Sequence, residues 1–199
     1  VRTSVGTGAA GDEGAATDGA TVWFTGLSGA GKSTVARCLA GILAERGERV
    51  FTLDGDDLRD GLNADLGFTP EDRAENVRRV GEVALLFARA SHLTLVTVIS
   101  PYAVGRDAVR GRHVASGVPF VEVHVATPLE VCEGRDPKGL YRRARSGEIT
   151  RFTGVSDPYE APTAPEVVLA TQGRTVRESA LEVLGVLETT ILDPRPAIS

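Results

Sequence analysis

Nine residues, GLSGAGKST at positions 26–34, carry the fixed positions of a phosphate-binding loop, GxxxxGK[ST], at the required spacing. Gly26, Gly29 and Gly31 let the backbone curl until successive N–H groups converge on an anion, with a following helix N-terminus adding partial positive charge. Ser28, Ala30 and Thr34 complete the nucleotide-binding set read from this loop. Lys32 has the reach to meet β- and γ-phosphates, and Ser33 presents a hydroxyl to Mg²⁺. The chemistry these residues suit is the handling of a nucleoside triphosphate.

A second polar cluster, DGDDLR at 54–59, follows an apolar run directly. In an open α/β sheet ligands collect where strands end, so Asp54, Asp56, Asp57 and Arg59 stand where chemistry would be done. Carboxylates there can order Mg²⁺-bound water, for which Asp54 is the metal-side residue, or take a proton from an attacking hydroxyl, for which Asp56 is the candidate. Asp56 or Asp57 would also serve as the cap of a short helix, although the cluster holds more polar residues than a cap needs.

Arg73 and Asn76 lie one turn apart on a predicted helix and can face one ligand. Arg73, Arg78 and Arg79 are equally spaced to pair with Glu71, Asp72 and Glu75, and periodicity leaves both readings open. Ser100-Pro101-Tyr102 ends another apolar run on the same sheet edge as the phosphate loop. The stretch 133–151 is dense in cations for an otherwise acidic chain. A lid that closes on phosphates needs such charge, and a solvated arginine-rich helix would share the composition. Phe152 and Tyr159 are aromatics in a polar, proline-rich loop, placed to anchor it or to touch a ligand.

The elements that position these residues follow from periodicity. A strand over 22–25 precedes the loop, and a helix follows it with Val35, Cys38, Leu39, Ile42 and Leu43 on one side and Gly47 as its stop. Strands are predicted over 50–53, 93–99, 120–125 and 167–170. Thr69-Pro70-Glu71 opens a helix reaching about residue 91, with Val77, Val80, Ala84 and Phe87 facing inward. Further helices carry Arg106, Arg110 and Arg112, and span 176–187. Strands alternating with helices predict an α/β fold, a P-loop NTPase-like three-layer sandwich whose parallel sheet has helices on both faces. The expected organisation is a disordered tail over 1–19, one domain over 20–190 with a mobile basic lid at about 133–151, and a short tail over 191–199.

Composition narrows the partners. The chain has 199 residues and a formal charge of −5, which gives no electrostatic reason to expect nucleic acid or an anionic membrane. Its only lysines are Lys32 and Lys138, and its two cysteines, Cys38 and Cys132, make neither a disulfide scaffold nor a metal cluster. No long apolar run or basic-plus-apolar leader is found, so a soluble cytoplasmic protein is expected. From the residues alone it is a P-loop phosphotransferase or phosphohydrolase with an acceptor region of small-molecule size, and the acceptor stays unnamed.

The combination GLSGAGKST, LDGDDLR, GFTPEDRAENVRR, ISPY, RDPKGLYRRAR and FTGVSDPYEAP resembles the adenylylsulfate kinase family over residues 21–187. The resemblance implies transfer of the γ-phosphate of MgATP to the 3′-hydroxyl of adenosine 5′-phosphosulfate. It implies that Arg59, Phe68, Arg73 and Asn76 hold the adenylylsulfate, with Phe152 sandwiching the adenine against Phe68. Asp56 becomes the general base, or the group orienting the 3′-hydroxyl and Mg²⁺. Ser100 lies close to the phosphates, and Lys138, Arg135 and Arg142 belong to the lid, Arg135 on the nucleotide and Lys138 on the substrate. Ile99 and Leu140 are apolar substrate contacts. It also implies a stand-alone homodimer, with ATP sulfurylase as metabolic neighbour. Three positions depart from the family pattern: Asp57 where asparagine is usual, Thr150 where lysine is usual, and Ala103 where arginine commonly follows the ISPY tyrosine.

Overall fold

The computed structural model describes residues 19–192. Five strands, β1 (Ala20–Thr25), β2 (Val50–Asp54), β3 (Leu93–Thr97), β4 (Phe120–Val125) and β5 (Val167–Leu169), form one sheet in the order β2-β3-β1-β4-β5. Every pairing is parallel, with Val22 opposite Leu95 and Val121 across the centre. β1, in the middle, is buried along its whole length, as its uninterrupted apolar and threonine sequence requires.

Helices cover both faces. α1 (Lys32–Glu45) and α7 (Val176–Leu187) pack together on one side over Val22, Phe24, Leu95 and Val123. α3 (Pro70–Arg89) and α4 (Ala103–Val114) pack on the other over Trp23, Val96 and Phe120. Alternation along each strand therefore supplies two cores from one sheet. The expected start of α3 is present in full: Thr69 accepts from Asp72 N–H, Asp72 returns the bond to Thr69 N–H, and Pro70 takes the first position.

Three short helices complete the chain: α2 (Gly55–Asp60), α5 (Leu129–Arg135) and α6 (Leu140–Arg145). The 152–166 segment has no regular element beyond an isolated bridge between Thr153 and Asp157. The predicted tail, 1–19, lies outside the described residues except for Gly19, which is buried so closely that a Cβ would stand 2.0 Å from Ala88 O. At the other end the last helix continues as a π-helical turn, Glu188–Leu192, because Ile191 and Leu192 still find the core. Residues 191 and 192 of the expected 191–199 tail are thus helical, and 193–199 lie outside the described residues. Among the described residues no helix is long and apolar enough to cross a membrane.

Candidate active site

The turn between β1 and α1 shows why glycine is needed there. Gly26 sits at φ 144° with Val125 O where a Cβ would come within 2.6 Å, and Gly31 adopts φ 110° at the N-cap of α1. Lys32 Nζ donates to Gly26 O at 2.9 Å and Leu27 O at 2.8 Å, so the ammonium lies within the loop. Burial pushes it down to about 8, although Asp56 and Asp54 oppose the shift.

β2 ends in Asp54, and its carboxylate, rather than that of Asp56 or Asp57, caps α2 by accepting from Asp56 N–H at 3.0 Å. The cap expected at Asp56 or Asp57 thus falls two or three residues earlier, since the strand runs one residue further and leaves Asp54 at the junction. Partial burial raises the Asp54 carboxyl, but hydrogen bonds from Ser33, Asp56 N–H and Thr97, with the Lys138 charge, outweigh it and hold the group below its usual range. Ser33 Oγ and Thr97 Oγ1 are 3.3 Å apart. Two hydroxyls and an ionised carboxylate beside a phosphate loop are the hard oxygen donors that Mg²⁺ takes, with water and phosphate filling its other positions. Among the described residues there is no group of three His, Cys, Asp or Glu that could hold a metal ion.

Asp56 itself is exposed on the first turn of α2, where Lys138 Nζ donates to its Oδ2. Lys138 comes from the turn between α5 and α6, so the basic segment reaches across to the acidic cluster. Arg135 donates to Gly29 O, Ala30 O and Thr171 Oγ1 at 3.1–3.3 Å. Arg142 is exposed and does not line the cleft. Tyr141, 1% exposed, donates to Ser28 O at 2.9 Å and packs edge-on against Phe152, with ring centres 4.9 Å apart.

Beyond Asp56 the acceptor side is built from α2, the loop after it, and the first turns of α3. Arg59 donates to Leu66 O and Gly67 O, and its guanidinium lies 4.4 Å from the centre of the Phe68 ring. Burial, and next the neighbouring Arg73, push the Arg59 guanidinium down. Arg73 is buried, in contrast to Arg78 and Arg79, which pair with Glu75 as the helical spacing allows. Arg73 Nε donates to Phe68 O and one NH₂ to Arg151 O, with Asp157 at 3.6 Å. One side chain thus joins the backbones that carry Phe68 and Phe152. Phe68 is exposed and Phe152 buried, and both line the same cleft.

Ser100 lines that cleft at φ 40°, but its hydroxyl is engaged inward: it accepts from Trp23 Nε1 at 3.1 Å and donates to Thr25 Oγ1 at 2.9 Å. Its carbonyl accepts from Arg106, a buried arginine paired to Glu122 at 2.9 Å. Ile99 and Leu140 are half-buried wall residues. One cleft of about 910 Å³ brings together Ser28, Gly29, Gly31, Lys32, Ser33 and Thr34 with Asp54, Asp56, Arg59 and Phe68. It also gathers Arg73, Asn76, Ile99, Ser100, Arg135, Lys138, Leu140 and Phe152. Gly26 and Ala30 stand behind this wall and are buried; Ala30 O accepts from Thr127 and Thr171.

Sequence reasoning missed several wall residues. Thr97 reads as one more core residue of a central strand, and only its place at the strand's C-terminal end marks it. Thr171, Arg174 and Thr175, on the loop entering α7, also line the cleft, and the one local signal among them, the capping box of Thr175 with Glu178, marks a helix start rather than a site.

A five-stranded parallel sheet with a lysine-bearing phosphate loop after its central strand and an acidic turn after its edge strand defines a P-loop phosphotransferase. The chain belongs to one family of that class: the family model for adenylylsulphate kinase matches residues 18–170. The adenylyl-sulfate kinase of Saccharomyces bayanus is 53% identical over 163 residues, covering 82% of this chain and 81% of that protein. The adenylyl-sulfate kinase of Shewanella baltica is 59% identical over 150 residues, covering 75% and 72%. A solved structure of the Mycobacterium tuberculosis APS kinase CysC in complex with AMPPNP and APS is 53% identical with a TM-score of 0.84, covering 86% of this chain and 99% of that one.

Proposed function

We infer that this chain transfers the γ-phosphoryl group of ATP to the 3′-hydroxyl of adenosine 5′-phosphosulfate, giving 3′-phosphoadenosine 5′-phosphosulfate and ADP. The observation that carries the reading is that Lys32 and Asp56 line the same cleft as Phe68 and Phe152. Phosphate-binding and base-stacking chemistry are thereby joined in one space, as transfer between two nucleotides requires.

In this reading the loop N–H groups and Lys32 hold the β/γ-phosphates, and Arg135 secures the nucleotide end. Phe68 and Phe152 take the faces of the acceptor's adenine, while Arg59 and Arg73 offset its phosphosulfate charge. Asp56 orients the 3′-hydroxyl in line with the leaving oxygen and receives its proton, and Lys138 neutralises charge as the lid region closes. Ser100 acts through position: its buried hydrogen bonds hold the turn that forms the floor beneath the phosphates. Ser33 and Asp54 would hold Mg²⁺, directly or through water. When bound, that ion would supply neutralisation of the charge on the β- and γ-phosphates. A cytoplasmic homodimer, supplied with adenylylsulfate by an ATP sulfurylase, completes the proposal.

The test is transfer of labelled γ-phosphate from ATP and Mg²⁺ to adenosine 5′-phosphosulfate, with the product identified by mass. A 3′-phosphorylated product is expected. Folded, ATP-binding protein that leaves adenylylsulfate unchanged would sink the reading and turn attention to a different acceptor.

A further inference from the structure

Asn63 is fully buried and yet is not a wall residue of the cleft. Its Nδ2 donates to Asn76 Oδ1 at 3.1 Å, and Asn76 does line the cleft. Asn63 Oδ1, by contrast, has no hydrogen-bond partner among the described residues. The backbone around it is pinned: Asn63 N–H donates to Leu58 O at 2.8 Å, and Leu66 N–H donates to Asn63 O at 3.0 Å. Arg79 fixes the same segment through Leu62 O and a two-pronged bond to Asp65 at 2.7 and 2.9 Å. A buried polar side chain held this firmly, and bonded only to one wall residue, governs what that residue offers.

Two carboxamides that meet edge to edge can do so in two ways, and the better-satisfied network decides between them. With Asn63 donating, the group left over in the interior is a carbonyl oxygen. With both amides reversed, it would be an NH₂ carrying two unmet hydrogens. Orphaned buried donors are rarer than under-satisfied carbonyls, so the donating arrangement is the stable one. It consumes Asn76 Oδ1 and leaves Asn76 Nδ2, which makes no hydrogen bond among the described residues, for the cleft.

We propose that Asn63 is a positioning residue that fixes Asn76 as a hydrogen-bond donor, so that the acceptor half of the cleft selects a substrate presenting an acceptor atom at that point. Adenylylsulfate has such atoms in its ring nitrogens and anionic oxygens. The inference rests on the acceptor half being the adenylylsulfate site, and it adds a residue outside the wall that sets the polarity of recognition there.

A double-mutant cycle on the full chain tests it, reading KM and kcat for both substrates in Asn63→Leu, Asn76→Ala and the double variant. Asn63→Leu is expected to raise KM for adenylylsulfate about fivefold and Asn76→Ala about tenfold, with the double variant no worse than Asn76→Ala alone. KM for ATP and kcat should stay within about twofold, because the lost bond serves one substrate. Asn63→Asp, of equal size but with an acceptor in place of the donor, draws the Asn76 amino group back and should raise KM for adenylylsulfate at least as far. It also stands in should circular dichroism show the leucine variant unfolded.

Equal losses from Asn63→Leu in both backgrounds, a parallel rise in KM for ATP, or folded variants with unchanged KM would each overturn the proposal. So would failure of both Asn63 variants to fold, which would make Asn63 part of the scaffold. Wild-type protein that leaves adenylylsulfate untouched removes the reading of the site and this role together; wild-type turnover with additive variants removes this role alone.

Discussion

Lys32 is a buried ammonium whose two backbone partners are carbonyls of its own loop. Burial has already moved it down to about 8, so near that pH half of it is neutral before a polyanion arrives. Phosphate oxygens favour the charged form and pull the proton back. ATP binding should therefore take up about half a proton at pH 8 and close to none by pH 7, and affinity should fall as pH rises past 8. Calorimetry in buffers of different ionisation enthalpy measures this, and an absence of uptake at pH 8 would mean the ammonium titrates elsewhere. Lys32→Ala should lower transfer at least about a hundredfold while the far-ultraviolet spectrum is retained. Asp56 tests a different idea, because it is exposed and its one side-chain partner among the described residues is Lys138. Asp56→Ala should suppress transfer comparably and move the melting temperature by less than about 2 °C, since exposed ion pairs contribute little. Near-wild-type turnover in either variant would take that residue out of the mechanism.

At the scale of elements, local signals were read well where one helix or strand satisfies itself. Thr69, Pro70 and Asp72 announce the start of α3 because the capping box needs only neighbours in sequence, and it forms as written. Thr69→Ala should cost about 1 kcal/mol by chemical denaturation, and because Phe68 and Arg73 flank the cap it should also raise KM for adenylylsulfate. A loss of stability with unchanged KM would show the cap to be scaffold only. What periodicity left unresolved was long-range. Arg73, Arg78 and Arg79 look alike in sequence, yet Arg78 and Arg79 meet Glu75 one turn away while Arg73 bonds Phe68 O five residues back and is drawn in by Arg151 O and Asp157, which lie far along the chain. The family resemblance assigned Arg73 to the ligand. Its buried position in the wall agrees with a role in the cleft, while its bonds add that it spans the two segments bearing the aromatic rings. Thr97 and Asn63 were illegible for the same reason: a threonine in a β-rich run and an asparagine in a turn each have an ordinary local explanation, and their partners, Ser33 and Asn76, are set by tertiary packing.

Across the whole molecule, the cleft has one fixed wall and one that is held lightly. The fixed wall is tied into the sheet. Trp23, Ser100, Thr25 and Tyr159 form a continuous hydrogen-bonded chain, and Arg106 joins Glu122, Ser100 O and Glu160 O, so the floor is tied to the loop at Tyr159 and Glu160. The basic segment expected to be a mobile lid is divided. Cys132, Tyr141 and Ala144 are buried in the larger core, and Tyr141 also grips Ser28 O, which anchors α5 and α6 from within. Between them, Asp136 N–H donates to Cys132 O, Gly139 N–H donates to Asp136 O, and the Asp136 carboxylate accepts from Tyr141 and Arg142 N–H, while the turn reaches the cleft only through side chains near the surface: Arg135 to the phosphate loop and Lys138 to Asp56. Those are the contacts that nucleotide phosphates and an acceptor hydroxyl would compete for, whereas the Tyr141 anchor is untouched by either. Hydrogen exchange should therefore find residues 141–144 protected before any ligand is added and the Lys138 amide, which has no acceptor among the described residues, exchanging fast, with protection gained there when a non-hydrolysable ATP analogue and adenylylsulfate bind together. Uniform fast exchange across 133–151 without ligands would mean that the whole segment closes as a hinged unit, and the anchoring by Tyr141 and Cys132 would then not limit the motion to the short turn that carries Lys138.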